Sequence, residues 1–323
     1  MNWKNMNAKN SFKKYIWIGG IIAFLLVGWS FDFFDISCRE NHTAHFKKPD
    51  TTDLPEMIHY LSMEERASIV AEKVEEPEGI NRKEAIIAVP QTGDDFRGHT
   101  IDEVIWSGKD IRYADFRGVF MRSAHCDNAN FSYSDFRMAD VKWTSFNHSI
   151  LRKCNFDQSK MFRSKVSHAV LDSSTMRGSN MFGMEGSKVS MRACDFSNAL
   201  MKEIDFYEAD FSHSTALKTN LLSAVLIESR VDSSDFSYAN FIGGHLQGTS
   251  FRRSNLIEVD FKGAYLEDAD FTGANLEDSD FFGATFKNTV FKNALNIPDN
   301  VKELIVDGVA NGVCSTRLKN ESI

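Results

Sequence analysis

The chain has 323 residues, a formal net charge of −8, 42% hydrophobic residues and five cysteines. A negative charge of this size weakly repels nucleic acid and disfavours direct DNA binding. The odd, scattered cysteines give neither a disulfide framework nor the paired spacing of a zinc site. No glycine-rich phosphate loop, CxxC pair, HExxH or nucleophile elbow occurs, which points away from an enzyme.

Residues 1–14 form a basic tail with Lys4, Lys9, Lys13 and Lys14. They precede an uncharged apolar run over 15–31, of about the minimum length that spans a bilayer. Four cations lie before the run and Arg39 just after it, which favours a cytoplasmic N-terminus and an exported remainder; Lys47 and Lys48 weaken that count. Gly28 and Ser30 leave a cleaved signal peptide as the alternative to a transmembrane helix. A polar linker follows over 32–52. Asp53 and Glu56 then have capping-box spacing, with Pro55 between them. Met57, Leu61, Ile69 and Val74 give partial helical periodicity, which predicts a helical N-terminal cap within 53–93.

From Phe96 to Phe291 every fifth residue is large and apolar, with Ala216 the smallest exception and Gly186 the one position of forty without an apolar side chain. A period of five fits neither a helix nor a pleated strand, so the chain must turn a corner at regular intervals and wind into a solenoid. Two residues before each large side chain stands a small one (Ala114, Ala129, Ala139, Ala264, Ala274), and between them sits an Asp or Asn in many repeats (Asp115, Asn130, Asp140, Asn275). The block around Gly186 fits worst and predicts a bulge or dent.

Blocks such as ADFRG, ANFSY, SDFRM, ADFTG and ANLED resemble the pentapeptide-repeat family over about 94–295. The resemblance implies an all-β solenoid, a right-handed quadrilateral β-helix with four pentapeptides per coil. Forty repeats would make about ten coils and a rod roughly 45–50 Å long. Residues twenty apart would then be stacked, with Phe96, Phe116, Phe136, Phe156, Met176 and Phe196 on one wall and Met161, Met181 and Met201 on the next. Such ladders read as core packing rather than cofactor boxes. Cys126, Cys154 and Cys194 fall in phase with the inward positions, whereas Cys38 and Cys314 lie outside the rod and could react or pair, although nothing in the sequence brings them together.

Residues 296–323 make the C-terminal end and tail. Ile297, Val301, Leu304 and Ile305 lie on one helical stripe, which predicts a helical cap over the exposed end of the rod. A helix that pairs two copies, as in some members of the family, is the sharper reading and would make a homodimer.

With the interior filled, function belongs to the outward columns. The column after the large residues of the first wall reads Arg97, Arg117, Arg137, Asp157, Arg177, a like-charge stack that needs carboxylates or a bound partner to offset it. On the next wall stand Arg122, Lys142, Phe162 and Phe182, with Trp143 and Arg163 beside them, a composition suited to an interaction hot spot. The bland alternative is that long side chains merely cover the rod. His148 and His168 would be stacked one coil apart; without a carboxylate or thiolate in their column they read as solvated rather than metal-binding. No cofactor is expected.

Three functions follow from these features. The first is a non-enzymatic, membrane-tethered protein-interaction scaffold of a bacterial cell envelope, such as an accessory subunit of a membrane complex, with the bulk of the chain periplasmic. The second rests on the acidic stretch from Glu258 to Asp280, where only Lys262 is basic. It resembles the DNA-mimicking, topoisomerase-binding members of the family. The third is a secreted effector.

Overall fold

The computed structural model describes residues 90–315. The chain separates into two units, Met1–Ser62 and Met63–Ile323, and the described residues lie wholly in the second. The expected membrane or signal segment 15–31, the linker 32–52, Cys38 and nearly all of the expected N-terminal cap fall outside them. Residues 90–93, the end of that expected cap, carry no helix. Instead the Gly93 N–H already donates to the Arg112 carbonyl, 2.8 Å away, as a coil residue does.

Parallel bridges join residues twenty apart from Asp95↔Asp115 to Asn275↔Leu295. A stride of five with a return at twenty makes a square coil of four pentapeptides. Each residue just before a large inward side chain exchanges backbone bonds with the coils above and below: Asp135 N–H donates to Ala114 O (3.0 Å), and Phe116 N–H donates to Asp135 O (2.7 Å). A corner separates one such residue from the next. The Val119 N–H closes a corner on Phe116 O at 3.1 Å, and the third residue of each corner has positive φ, as at Tyr113 (60°), Trp143 (57°) and Arg163 (50°). This is the pattern of a type II turn. The left-handed region costs an L-residue about 1 kcal/mol, and inter-coil bonds hold it there. Tyr113 N–H donates to Ser132 O at 3.1 Å and Trp143 N–H to Phe162 O at 3.0 Å.

The large residues fill the axis as a herringbone. Phe96, Phe116, Phe136 and Phe156 stack face to face along one wall with centroids 5.0, 4.5 and 4.7 Å apart. Rings on different walls meet edge to face, Phe131 with Phe136 on adjacent walls and Phe261 with Phe271 on opposite ones. Each fully buried ring contributes about 1.5–3 kcal/mol, so the axis supplies most of the stabilisation.

The small inward column at one corner does more than save space. Ser134, Ser174, Ser214, Ser234 and Ser254 are buried, and each hydroxyl donates to a carbonyl of the preceding coil, Ser174 to Leu151 at 2.8 Å and Ser254 to Val231 at 2.6 Å. Each also accepts the N–H of the corner below, as Cys154 N–H to Ser174 at 3.0 Å. Cys154 and Cys194 occupy the same column, and their thiols point at Phe131 O (3.1 Å) and Leu171 O (3.2 Å). Burial pushes both thiols up to about 12, which keeps them protonated and inert.

At Gly186 the expected bulge does not form. The bridges Lys165↔Glu185↔Asp205 run through it unbroken. The space is taken by neighbours: a Cβ on Gly186 would lie 2.6 Å from the Phe206 ring and 2.8 Å from Val166. A missing side chain on one coil is filled by an oversized one on the next.

The C-terminal end also differs from expectation. β1 (Thr285–Val290) lies in the last coil, α1 (Asp299–Lys302) is a single turn, and β2 (Ile305–Val306) and β3 (Val309–Val313) form a hairpin. The sheet order is β1-β3-β2, all antiparallel. Val306 pairs with Val309 across Asp307 and Gly308, both at positive φ (52° and 81°), so the dipeptide Asp-Gly sets a type I′ turn and overrides the helical stripe. Val301, Ala310 and Cys314 are fully buried beneath this lid. Cys314, expected to be free to react, instead bonds through its backbone to Gly283 and Ala284. The exposed edge is β2, two residues long, a length that offers little to a further strand.

Candidate interaction surface

On the first face each arginine of the expected column is engaged by a carboxylate. Arg97 donates to Asp95, Arg117 to Asp115 and Arg137 to Asp135, each 2.6 Å away and each using Nε as well. Arg177 donates to Asp157, also at 2.6 Å, so the aspartate that interrupts the column is itself a partner. The pairs interlock along the rod: Arg97 Nε lies 3.5 Å from Asp115 and Arg117 Nε 3.8 Å from Asp135. Hydrogen bonds from the Arg97 side chain and backbone hold the Asp95 carboxyl down at about 2. Burial pushes Asp115 up, but bonds from the Arg117 side chain and backbone outweigh it, and the carboxyl stays below its usual range. Arg97, Arg117, Arg137 and Arg177 therefore form a charge-neutral lattice rather than a basic stripe.

The second face is built differently. Arg122 is tied to Asp102 (2.6 Å) and lies over the Phe120 ring, and Lys142 reaches Asp140 at 3.2 Å. Beyond them the column turns aromatic. Trp143, half exposed, meets Phe162 edge to face at 5.8 Å, and Phe162 stacks on Phe182 at 5.5 Å with the rings 7° from parallel. Arg163 lies over Phe162 at 5.6 Å, and Lys202 over Phe182 at 5.9 Å. Trp143, Phe162, Arg163 and Phe182 are thus brought into one surface cluster, Trp143 and Arg163 exposed and both phenylalanines half-buried, with Lys142 at its end. Lys202 belongs to it too and was missed, as were Leu222, Ile242, Lys262 and Phe282 further along. Continuing the stride of twenty past Phe182 finds all of them.

His148 and His168 stack at 4.7 Å, 4° from parallel, and Lys188 on the next coil pairs with Glu208. Among the described residues no group of three His, Cys, Asp or Glu side chains is placed to hold a metal ion. The fourth face carries a groove of about 640 Å³ lined by Arg192, Asp210, Arg230, Asp232, Arg252 and Asp270. Its charges offset one another, Arg252 to Asp270 at 2.6 Å and Arg230 to Asp232 at 3.7 Å. Among the described residues no helix is long and apolar enough to cross a membrane.

A square coil of pentapeptides with a filled axis defines the class of protein. Residues 110–147, 142–178, 234–273 and 260–295 match the family model for pentapeptide repeats, in eight copies. The matched coils are therefore pentapeptide repeats, which build a right-handed β-helix, and the same coil continues through the residues between them. No curated protein sequence matches the chain. Solved structures similar to it include HetL, a pentapeptide repeat protein involved in heterocyst differentiation regulation from the cyanobacterium Nostoc sp. It is 17% identical over 59% of this chain and 90% of HetL, with a TM-score of 0.40. Full-length QnrB1, a plasmid-mediated fluoroquinolone resistance protein, is 18% identical over 58% of this chain and 94% of its own, with a TM-score of 0.32. A pentapeptide repeat protein from the Arabidopsis thaliana thylakoid lumen is 21% identical over 43% of this chain and 86% of its own, with a TM-score of 0.14.

Proposed function

We propose that the rod is a non-enzymatic protein-interaction scaffold, tethered to a bacterial envelope membrane through residues 15–31, with its coils on the periplasmic side. The observation that carries the interaction reading is the cluster of Trp143, Phe162, Arg163, Phe182 and Lys202, which leaves aromatic surface in water on a molecule whose interior is already full. Aromatic and arginine side chains of this kind carry most of the energy at protein interfaces. The membrane part of the reading rests on the uncharged run and on the cations before it.

A second reading, a DNA-mimicking topoisomerase-binding protein, has the acidic coils from Glu258 to Asp280 in its favour. The paired arginines of the first face count against it, since they cancel the aspartates a DNA mimic would need to display. The test is a pull-down from solubilised membranes with the wild-type chain and with Trp143→Ser/Phe162→Ser. Loss of specific partners from the variant supports the scaffold; capture of the same proteins by both removes the cluster from the account. Recovery of the chain in the soluble cytoplasmic fraction would end the tether.

A further inference from the structure

The outward column of the second face has a period of its own. From Lys142 it reads Lys142, Phe162, Phe182, Lys202, Leu222, Ile242, Lys262, Phe282: one lysine and two apolar residues, repeated every three coils. The bridges Asp140↔Lys160↔Asn180↔Leu200↔Asn220↔Asn240↔Asp260↔Asp280, two residues upstream, hold these positions in line. At about 4.8 Å per coil the lysines recur every ~14.4 Å, with an apolar pair centred ~7.2 Å from each.

That spacing selects the shape of what can lie along it. In an extended strand, side chains on one side recur every ~6.7 Å and every second one every ~13.4 Å, within about 1 Å of the column's repeat. An α-helix with its ~5.4 Å pitch falls between two turns (~10.8 Å) and three (~16.2 Å). A polyproline helix repeats every ~9.3 Å and is also out of step. A second copy of the rod shares the pitch, but any register that sets apolar pairs against apolar pairs also sets lysine against lysine, whichever way the copies run.

Charge selects the chemistry. The coils from Arg137 to Arg192, which carry Lys142, Phe162 and Phe182, hold ten basic residues against four acidic ones, whereas Lys262 lies in the acidic stretch from Glu258 to Asp280. Lys142 and Lys202 each reach one local carboxylate, Asp140 at 3.2 Å and Glu203 at 3.4 Å, whereas Lys262 lies between two, Asp280 at 2.9 Å and Asp260 at 3.3 Å; all three side chains remain about a third exposed. An ammonium has three donors, so Lys142 and Lys202, with one carboxylate each, can take a further one.

We propose that the second face docks an extended segment of a partner protein in which a carboxylate and an apolar side chain alternate along one side, acid at every fourth residue and apolar midway between. The proposal rests on the scaffold reading and names the partner's chemistry. Acids meet Lys142 and Lys202, and the apolar side chains lie over the Phe162–Phe182 pair and over the Leu222–Ile242 pair.

The experiment uses the purified full chain in detergent micelles and two fluorescein-labelled peptides, four repeats of Glu-Thr-Leu-Thr and four of Glu-Leu-Thr-Thr. In the second, acid and leucine face opposite sides. Fluorescence anisotropy should show the first peptide binding at least about tenfold more tightly, and Phe182→Ser/Ile242→Ser should weaken it by about tenfold or more. Lys202→Glu should weaken it about threefold to tenfold. The variants' melting midpoints, close to wild type, exclude unfolding as the cause. Equal binding of both peptides, no binding of the first, or unchanged binding by the variants overturns the proposal. So does cosedimentation of the rod with phosphatidylglycerol vesicles through the same residues in place of peptide binding. If a partner maps to this face in cells while the first peptide does not bind, the scaffold stands and the extended segment falls.

Discussion

The first and second faces place side chains at the same position of the same repeat, yet one is sealed and the other is open. The difference lies two residues upstream. On the first face that position holds Asp95, Asp115 and Asp135, and each carboxylate captures the arginine that follows it. On the second face it holds Lys160 before Phe162 and Asn180 before Phe182, so no upstream carboxylate ties down Arg163 and Lys202, which lie over the rings. An outward column is thus a surface for partners only where the neighbouring column leaves it unsatisfied.

The largest effect tests whether the two columns are outward at all. Phe206→Asp should abolish the cooperative melting transition, because it places an unpaired charge in the axis at a fully buried position. Tyr207→Ser, one residue on and exposed, should change stability by less than about 0.5 kcal/mol. Equal losses in thermal melts would show the phase to be wrong.

Gly186→Ala comes next. The added methyl meets Phe206 and Val166 below 3.0 Å, so a loss of about 1–3 kcal/mol is expected in denaturant titrations, and Gly186→Ala/Phe206→Leu should recover part of it. A neutral Gly186→Ala would mean that the dent read from the sequence exists after all.

A smaller difference separates the two faces directly. Asp135→Asn breaks the Arg137 pair and loosens Arg117, and should cost about 1 kcal/mol. Trp143→Ser should leave stability within about 0.5 kcal/mol, because that side chain is half in water. pH sharpens the contrast. Asp95, Asp115 and Asp270 have lowered carboxyl pKa values in the folded chain, Asp95 about 2. Their contribution is present above the unfolded value near 4 and is lost as pH falls from about 4 toward about 2. Acid titration of melting midpoints should show this loss reduced in Asp95→Asn and unchanged in Trp143→Ser. The smallest effect is at Cys154→Ser, where a hydroxyl takes the thiol's place in the Ser column and stability should move by about 0.5 kcal/mol or less.

The coil was legible in the sequence because one five-residue rule governs every wall, so Phe131 and Phe271 could be assigned to the axis by counting. Three things were not legible by counting. The Ser and Cys column looked merely small, since a hydroxyl's bond to the preceding coil depends on a corner carbonyl 23 residues away. The Asp307–Gly308 hairpin lost to a helical stripe, although that dipeptide between apolar pairs is the stronger local signal. The neutrality of the arginine column was present as Asp115 and Asp135 two residues before Arg117 and Arg137, but a column read alone hides its neighbour. The cluster around Phe162 was found by stride, and its continuation to Phe282 needed only the same stride carried further.

The most direct test of the contrast between faces is photocrosslinking in intact cells, with a benzophenone amino acid placed once at position 162 and once at position 117. The account predicts partner adducts from position 162 and none above background from position 117. Adducts from position 117 alone, or equally from both, would contradict it.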